Sequence, residues 1–284
     1  MELLPQIIVN GLVSGVVYIL IALGITLAFS ILRVINFAHG EFYMMGAYLA
    51  YYLSEEVGLN YWAAFPLAIL AGALLGAFVD QVLLRRVGRE LLRTLILTLG
   101  LMLILQSGAI FFFGNQEKAI PSPIAGVLRS TYLTITNEKL VVVLICLALI
   151  VGLIILVRWT KMGRAMRAIT QDREAALIQG VNVEGIFAGA FAIGCGLAAA
   201  AGSLMGILVP IGPYMGSVPL LKGLTIIILG GMGSLPGAVI GGLMLGEIES
   251  FMTFYANPLA SQLVFFVLII LILFVRPRGL FGEE

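Results

Sequence analysis

Charge is what this sequence has least of. Asp, Glu, Lys and Arg make up 11% of the 284 residues, against 61% hydrophobic, whereas a soluble domain carries roughly 25% charged and about 45–50% apolar residues. Water cannot cover that much apolar surface, so a soluble globular chain is excluded and a bilayer-embedded one is implied. The net charge of +1 removes the basic footprint of a nucleic-acid binder. Cysteine is scarce too: Cys146 and Cys195 both lie inside apolar stretches and read as small buried hydrophobes. His39 is the single histidine, and with no second His or Cys at ligand spacing it gives no metal site. No Lys or Arg precedes Arg33, so the basic start of a secretory signal is missing and the first apolar run is expected to be an uncleaved span. A Gly-x4-Gly-Lys-Ser/Thr phosphate loop is missing as well. No nucleophile, base and orienting group stand at usable spacing, so no catalytic residues are assigned.

What the chain does have is apolar runs, at roughly 5–32, 36–53, 61–84, 94–113, 138–157, 184–209, 217–230, 236–255 and 259–275. About 20 such residues cross ~30 Å of hydrocarbon. The expected fold is therefore all-α, a polytopic transmembrane helical bundle of about eight or nine spans forming one domain over residues 1–284. The seventh run is short enough to be re-entrant or tilted. The 34 glycines suit close helix packing in lipid.

Lys and Arg set the orientation. With the N-terminus outside and every run crossing, Arg33, Arg85, Arg86, Arg89, Arg93, Arg158, Lys161, Arg164, Arg167, Arg173, Arg276 and Arg278 face the cytoplasm, twelve of sixteen. Lys118, Arg129 and Lys139 lie outside, and Lys222 falls in the short seventh run. The C-terminus is then cytoplasmic. Two connections are long: an outer one near 114–137, where Pro121 and Pro123 break any helix, and an inner one near 158–183.

From Arg164 to Leu177 the inner connection holds good helix formers with no Gly or Pro, and Gly180 sits where a helix would end. A single short helix is expected, with Ala165, Ala168, Ile169, Ala176 and Leu177 offering small apolar surfaces. It either docks a partner or merely links two spans.

Ionisable groups at membrane depth are functional candidates by default. His39 and Glu41 lie just inside the second run. They either line a pathway or make an interhelical hydrogen bond. A broken helix start near Asn36 and Gly40 would offer backbone amides to a carboxylate. Glu247 and Glu249 sit midway along the eighth run; Gln106, Ser107 and Thr225 are weaker candidates. Gly230-Gly231-Met232-Gly233, followed by Pro236-Gly237, cannot continue a regular helix. That stretch reads as a gate or hinge, as a tight turn between close-packed helices, or as both.

Three stretches resemble one family. Glu174-Ala175-Ala176-x3-Gly180 resembles the docking motif of permease subunits of ATP-binding-cassette importers. The stretch around it, including Gly163, Arg164 and Arg167, is similar to the branched-chain amino-acid permeases, as are Ile35 to Tyr48 and Leu229 to Gly242. The resemblance spans about residues 8–280. It implies a bacterial inner-membrane, multi-pass permease subunit moving branched-chain amino acids. Its expected partners are a second, diverged permease subunit, two ATPase subunits docked on the 158–183 segment, a periplasmic solute-binding protein and membrane lipid. ATP and Mg would then sit on the ATPases, with no cofactor on this chain. Urea or short amides are alternative substrates. A passive channel and a proton-coupled transporter working through His39, Glu41, Glu247 or Glu249 are the rival mechanisms.

Overall fold

The computed structural model describes residues 4–88, 90–130, 133–276 and 279–281; Arg89 and Arg278 of the charge count lie outside them. Helix α1 is Leu4–Leu32 and α2 is His39–Tyr51, the latter running into a π-helical turn, Tyr52–Glu56. Helix α3, Tyr61–Val79, continues through a second π turn, Asp80–Leu84, into the short α4, Arg85–Val87. Then follow α5 (Leu91–Phe113), a hairpin of β1 (Val127–Ser130) and β2 (Leu133–Thr136), and α6 (Asn137–Trp159). The inner connection holds α7 (Lys161–Gln171) and α8 (Arg173–Ile178). Helices α9 (Val183–Met205), α10 (Ser217–Gly230), α11 (Leu235–Tyr255) and α12 (Pro258–Val275) complete the bundle.

Among the described residues six helices are long and apolar enough to cross a membrane: α1, the α3–α4 run, α5, α6, α9 and α11. The 14-residue α10 and the apolar part of α12 are shorter.

Helices α1 and α9 are the most buried of the six. Lipid tails are as apolar as leucine, so helices in a bilayer associate through close approach rather than by expelling water. The glycines show where that approach happens. A methyl group at Gly24 of α1 would stand 2.7 Å from the Gly194 carbonyl oxygen of α9. One at Gly76 of α3 would stand 2.6 Å from Cys195 Cβ, and Gly46 of α2 lies directly on Ala199. Three helices thus converge on one small-residue helix. The contact is pinned by Ser203, whose hydroxyl donates to the Gly46 carbonyl at 2.9 Å while its own carbonyl accepts from Tyr61 Oη at 2.9 Å. A second seam joins α1 to α11, where a methyl at Gly246 would meet Gly11 O and Gly15 N at 2.5 Å.

Outside the inner connection, α5 begins at Leu91 rather than 94, α9 ends at Met205 rather than 209, and two further differences bear on the site. Helix α2 begins at His39 rather than 36, because the Asn36 side chain accepts from Ala38 N at 3.0 Å and forms a turn first. The connection near 114–137 carries an antiparallel hairpin with Val127 opposite Thr136 and Ser130 opposite Leu133.

Candidate functional site

The inner connection is two helices, not the single one expected over 164–178. Asp172 breaks it: the backbone there is extended (φ −153, ψ 110), and its carboxylate accepts from Glu174 N and Ala175 N at 2.9 and 3.0 Å. An aspartate in that role starts a helix rather than continuing one. Helix α8 ends as expected. Gly180 has φ +80, its N–H bonds Leu177 O, and Val181 N bonds Ala176 O at 3.0 Å, a Schellman end. Of the predicted docking residues, Arg164, Glu174 and Gly180 are exposed, while Gly163 and Ala176 are buried. Gly163 lies directly on the carbonyls of Leu156 and Val157 at the end of α6, and Arg167 donates to the Val157 carbonyl. Those two residues clamp α7 to α6. Arg164, Glu174 and Ala175 face outward or partly so, beside Leu177 and Ile178 at 50% and 87% exposure.

Asn36, His39, Gly40 and Glu41 come together in one buried corner at the α1–α2 junction, preceded by Arg33 with φ +53, the single non-glycine residue with positive φ among the described residues. Three of the amides at this helix start are bonded within the turn: Ala38 N to Asn36 Oδ1, His39 N to Asn36 O, and Glu41 N to Ala38 O. Gly40 packs directly on Gly216, ahead of α10. Glu41 accepts from Gln106 Nε2 at 2.8 Å, which ties α2 to α5. Its second oxygen, and His39 Nε2, are buried with no hydrogen-bond partner among the described residues. Thr225 donates to the Leu221 carbonyl of its own helix at 2.8 Å.

The glycine-rich stretch is a tight turn. Gly231 and Gly233 have φ of 100 and 92, Gly230 and Gly237 touch backbone to backbone, and Ser234 Oγ accepts from Gly237 N at 3.1 Å to start α11, with Pro236 in its first turn. Leu280 N and Phe281 N donate to the Leu229 and Gly230 carbonyls and close the end of α10. This turn, Arg33, Arg167 and Thr170 border a cavity of about 600 Å³ at the C-terminal end of α1.

Sequence reading alone named Lys222 and Glu249 but did not pair them. Lys222 of α10 donates to Glu249 of α11 at 2.7 Å and to Tyr18 Oη of α1 at 2.6 Å. The opposite end of the α1–α11 seam holds a second cavity, about 450 Å³, lined by Gln6, Asn10, Ser14 and Glu249 among others. Two ionisable residues of opposite sign, each within an apolar run, were the available signal. Among the described residues no group of three or more His, Cys, Asp or Glu is placed to hold a metal ion.

Residues 7–273 match the model of the branched-chain amino acid transport system / permease component family. The chain is 35% identical to the high-affinity branched-chain amino acid transport system permease protein LivH of Escherichia coli (strain K12), over 96% of this chain and 94% of that protein. It is 34% identical to the corresponding BraD protein of Pseudomonas aeruginosa, over 98% and 95%. With the permease protein LivM of Escherichia coli (strain K12) it shares 27%, over 93% of this chain and 67% of that one. A chain of PsaBC from Streptococcus pneumoniae in complex with Fab has the same fold, with a TM-score of 0.51 at 16% identity over 95% of this chain and 91% of that chain. The chain belongs to the branched-chain amino acid transport permease family. Neither the channel nor the proton-coupled reading finds support among these relatives.

Proposed function

We propose that this permease-family chain pairs with a second, diverged permease subunit to form the pathway of an ATP-driven importer in the bacterial inner membrane. It spans the membrane eight or nine times, with its N-terminus outside and its C-terminus inside. Two ATPase subunits, carrying the ATP and Mg, supply the energy, and a periplasmic binding protein delivers the amino acid. The observation that carries this reading is the α7–α8 elbow. It is clamped to α6 by Gly163 and Arg167, yet it presents Arg164, Glu174, Leu177 and Ile178 outward. A linker that only joined two spans has no need of a clamp, a second cap and an exposed apolar tip. The placement of twelve of sixteen Lys and Arg supports the orientation. The similarity to both LivH and LivM supports a diverged partner. Gly230, Gly231, Gly233, Pro236 and Gly237 serve as the hinge beside the inner cavity, and the Asn36–Glu41 corner holds α2 to its neighbours next to the pathway.

The test is direct. Gly180→Pro forces a residue that requires negative φ into a position at φ +80, and Glu174→Arg inverts an exposed charge. Both variants are expected to insert in the membrane, lose the ATPase on co-purification and lose leucine uptake. Wild-type uptake in both would remove the elbow from the mechanism. Uptake at full rate by vesicles holding this chain alone, without ATP, would refute the importer reading itself.

A further inference from the structure

The proposed pathway needs a place that recognises an amino acid as such, by its two charges. A buried ion pair is a poor way to hold helices together: replacing one with apolar residues of similar size is often neutral or stabilising. Charges at membrane depth are rare for the same reason. Yet Lys222 and Glu249 are held 2.7 Å apart with side chains only 11% and 22% exposed, on two helices that already pack through Gly230 and Gly237.

Their surroundings suit a ligand better than a lock. Glu249 lines the cavity of about 450 Å³ at the N-terminal end of α1, within the roughly 300–1,000 Å³ of small-molecule sites. One carboxylate oxygen bonds Lys222; the other is buried and accepts no hydrogen bond among the described residues. The Tyr18 hydroxyl accepts from Lys222 at 2.6 Å. Ser14 also lines the cavity, while Ile7 and Phe254 give it apolar wall. Glu249, the Ser14 hydroxyl and an apolar wall therefore border the cavity, and Lys222, bonded to both Glu249 and Tyr18, stands one hydrogen bond beyond it.

We propose that Lys222 and Glu249 form a zwitterion-recognition site in which an α-amino acid inserts into the ion pair. Its ammonium takes the spare Glu249 oxygen, its carboxylate draws on Lys222 with the Tyr18 and Ser14 hydroxyls, and its branched side chain lies on Ile7 and Phe254. No net charge enters the membrane, because the ligand's charges match those of the pair. The proposal rests on the importer reading and adds to it the residues that select the substrate.

Two measurements on the complete complex test it. First, Lys222→Met or Glu249→Gln alone is expected to lower uptake at subsaturating leucine roughly 10- to 100-fold, the loss of one charge-assisted hydrogen bond. The double variant K222M/E249M, which leaves no unpaired charge, should insert and co-purify with its partners yet stay as inactive. Recovery of wild-type uptake in the double variant would show that the pair only joins α10 to α11 and would overturn the proposal. Second, a Thr253→Cys chain is labelled at the cavity with a membrane-impermeant maleimide. Leucine is expected to slow labelling, whereas 4-methylpentanoate and 3-methylbutylamine, each carrying one of the two charges, are not. Equal protection by all three, or protection that persists in K222M/E249M, also overturns it. If the wild-type complex takes up no leucine at all, the importer reading fails instead; the labelling result is read separately.

Discussion

Gly246 offers a sharp test of how this bundle is held together. On the α1–α11 seam a methyl group at that position would sit 2.5 Å from Gly11 O, Gly15 N and Gly15 Cα, three backbone atoms that cannot rotate away. Ordinary contact begins near 3.4 Å, so Gly246→Ala must push the two helices apart by about 0.9 Å. A gap of that size forfeits about a quarter to a half of the dispersion energy along the facing surface. Overpacking costs about 1–3 kcal/mol in general, and backbone blockers put this case at the upper end. Alanine's helix propensity returns ~1 kcal/mol, leaving a net loss of about 2 kcal/mol. Gly100 of α5 is the control, since a methyl there meets nothing within 4 Å. Gly100→Ala should gain ~1 kcal/mol from propensity alone. The two variants should therefore differ by about 3 kcal/mol, or roughly 100-fold in the unfolding constant. Denaturant unfolding in bicelles reads this directly. A difference below about 0.5 kcal/mol, within the scatter of surface substitutions, would refute the claim that glycine contact, rather than bulk hydrophobicity, orders the helices.

Gln106→Leu removes the donor that Glu41 accepts from at 2.8 Å and leaves a fully buried carboxyl bare. It should destabilise the chain by about 1–3 kcal/mol, and E41L/Q106L should recover most of that loss in a double-mutant unfolding cycle. Asp172→Ala deletes the two cap bonds to Glu174 N and Ala175 N, a loss of about 0.5–2 kcal/mol for α8. Insertion should be unchanged while ATPase co-purification and uptake fall, and Asp172→Asn, an equally good cap, should restore both.

Hydropathy made the long helices legible. Runs such as 138–157 are so apolar that the helix follows from the need to satisfy every backbone group inside lipid. The end of α8 was legible for a different reason, because a glycine following a run of helix formers has one common use. Asp172 was harder. It lies among helix formers and lacks the Glu or Gln three residues on that marks a capping box, so its neighbours in sequence do not decide between mid-helix and cap. The Asn36 turn was masked by the apolar residues on both sides of it. The Lys222–Glu249 pair was invisible as a pair because 27 residues and a tight turn separate its members, and periodicity says nothing about which helices become neighbours. The hairpin at 127–136 was hidden by its brevity: four-residue strands carry too few alternations to register.

Both cavities belong to the same pair of helices, and this bears on how energy would reach the substrate. Gln6, Asn10 and Ser14 of α1 meet Glu249 of α11 at one end; Leu27 and Ser30 meet Leu235 and Pro236 at the other. About 24 Å of helix lies between Ser14 and Ser30. Along that seam Gly15 lies on Gly242 and Gly246 backbone to backbone, while the Glu247 side chain covers Gly11 and Ile19 covers Gly242. Met166, Arg167 and Thr170 of α7 form part of the inner cavity wall. On the importer reading, a displacement of the docked elbow therefore acts on the wall of the pathway itself, with no relay through the bundle. The stiff helices then carry it to Glu249 as a change in the gap between α1 and α11. That account ties the two tests together. Widening the seam with Gly246→Ala should impair uptake beyond its effect on stability, because the same contact that orders the helices sets the distance between the Glu249 carboxylate and the residues of α1 that face it.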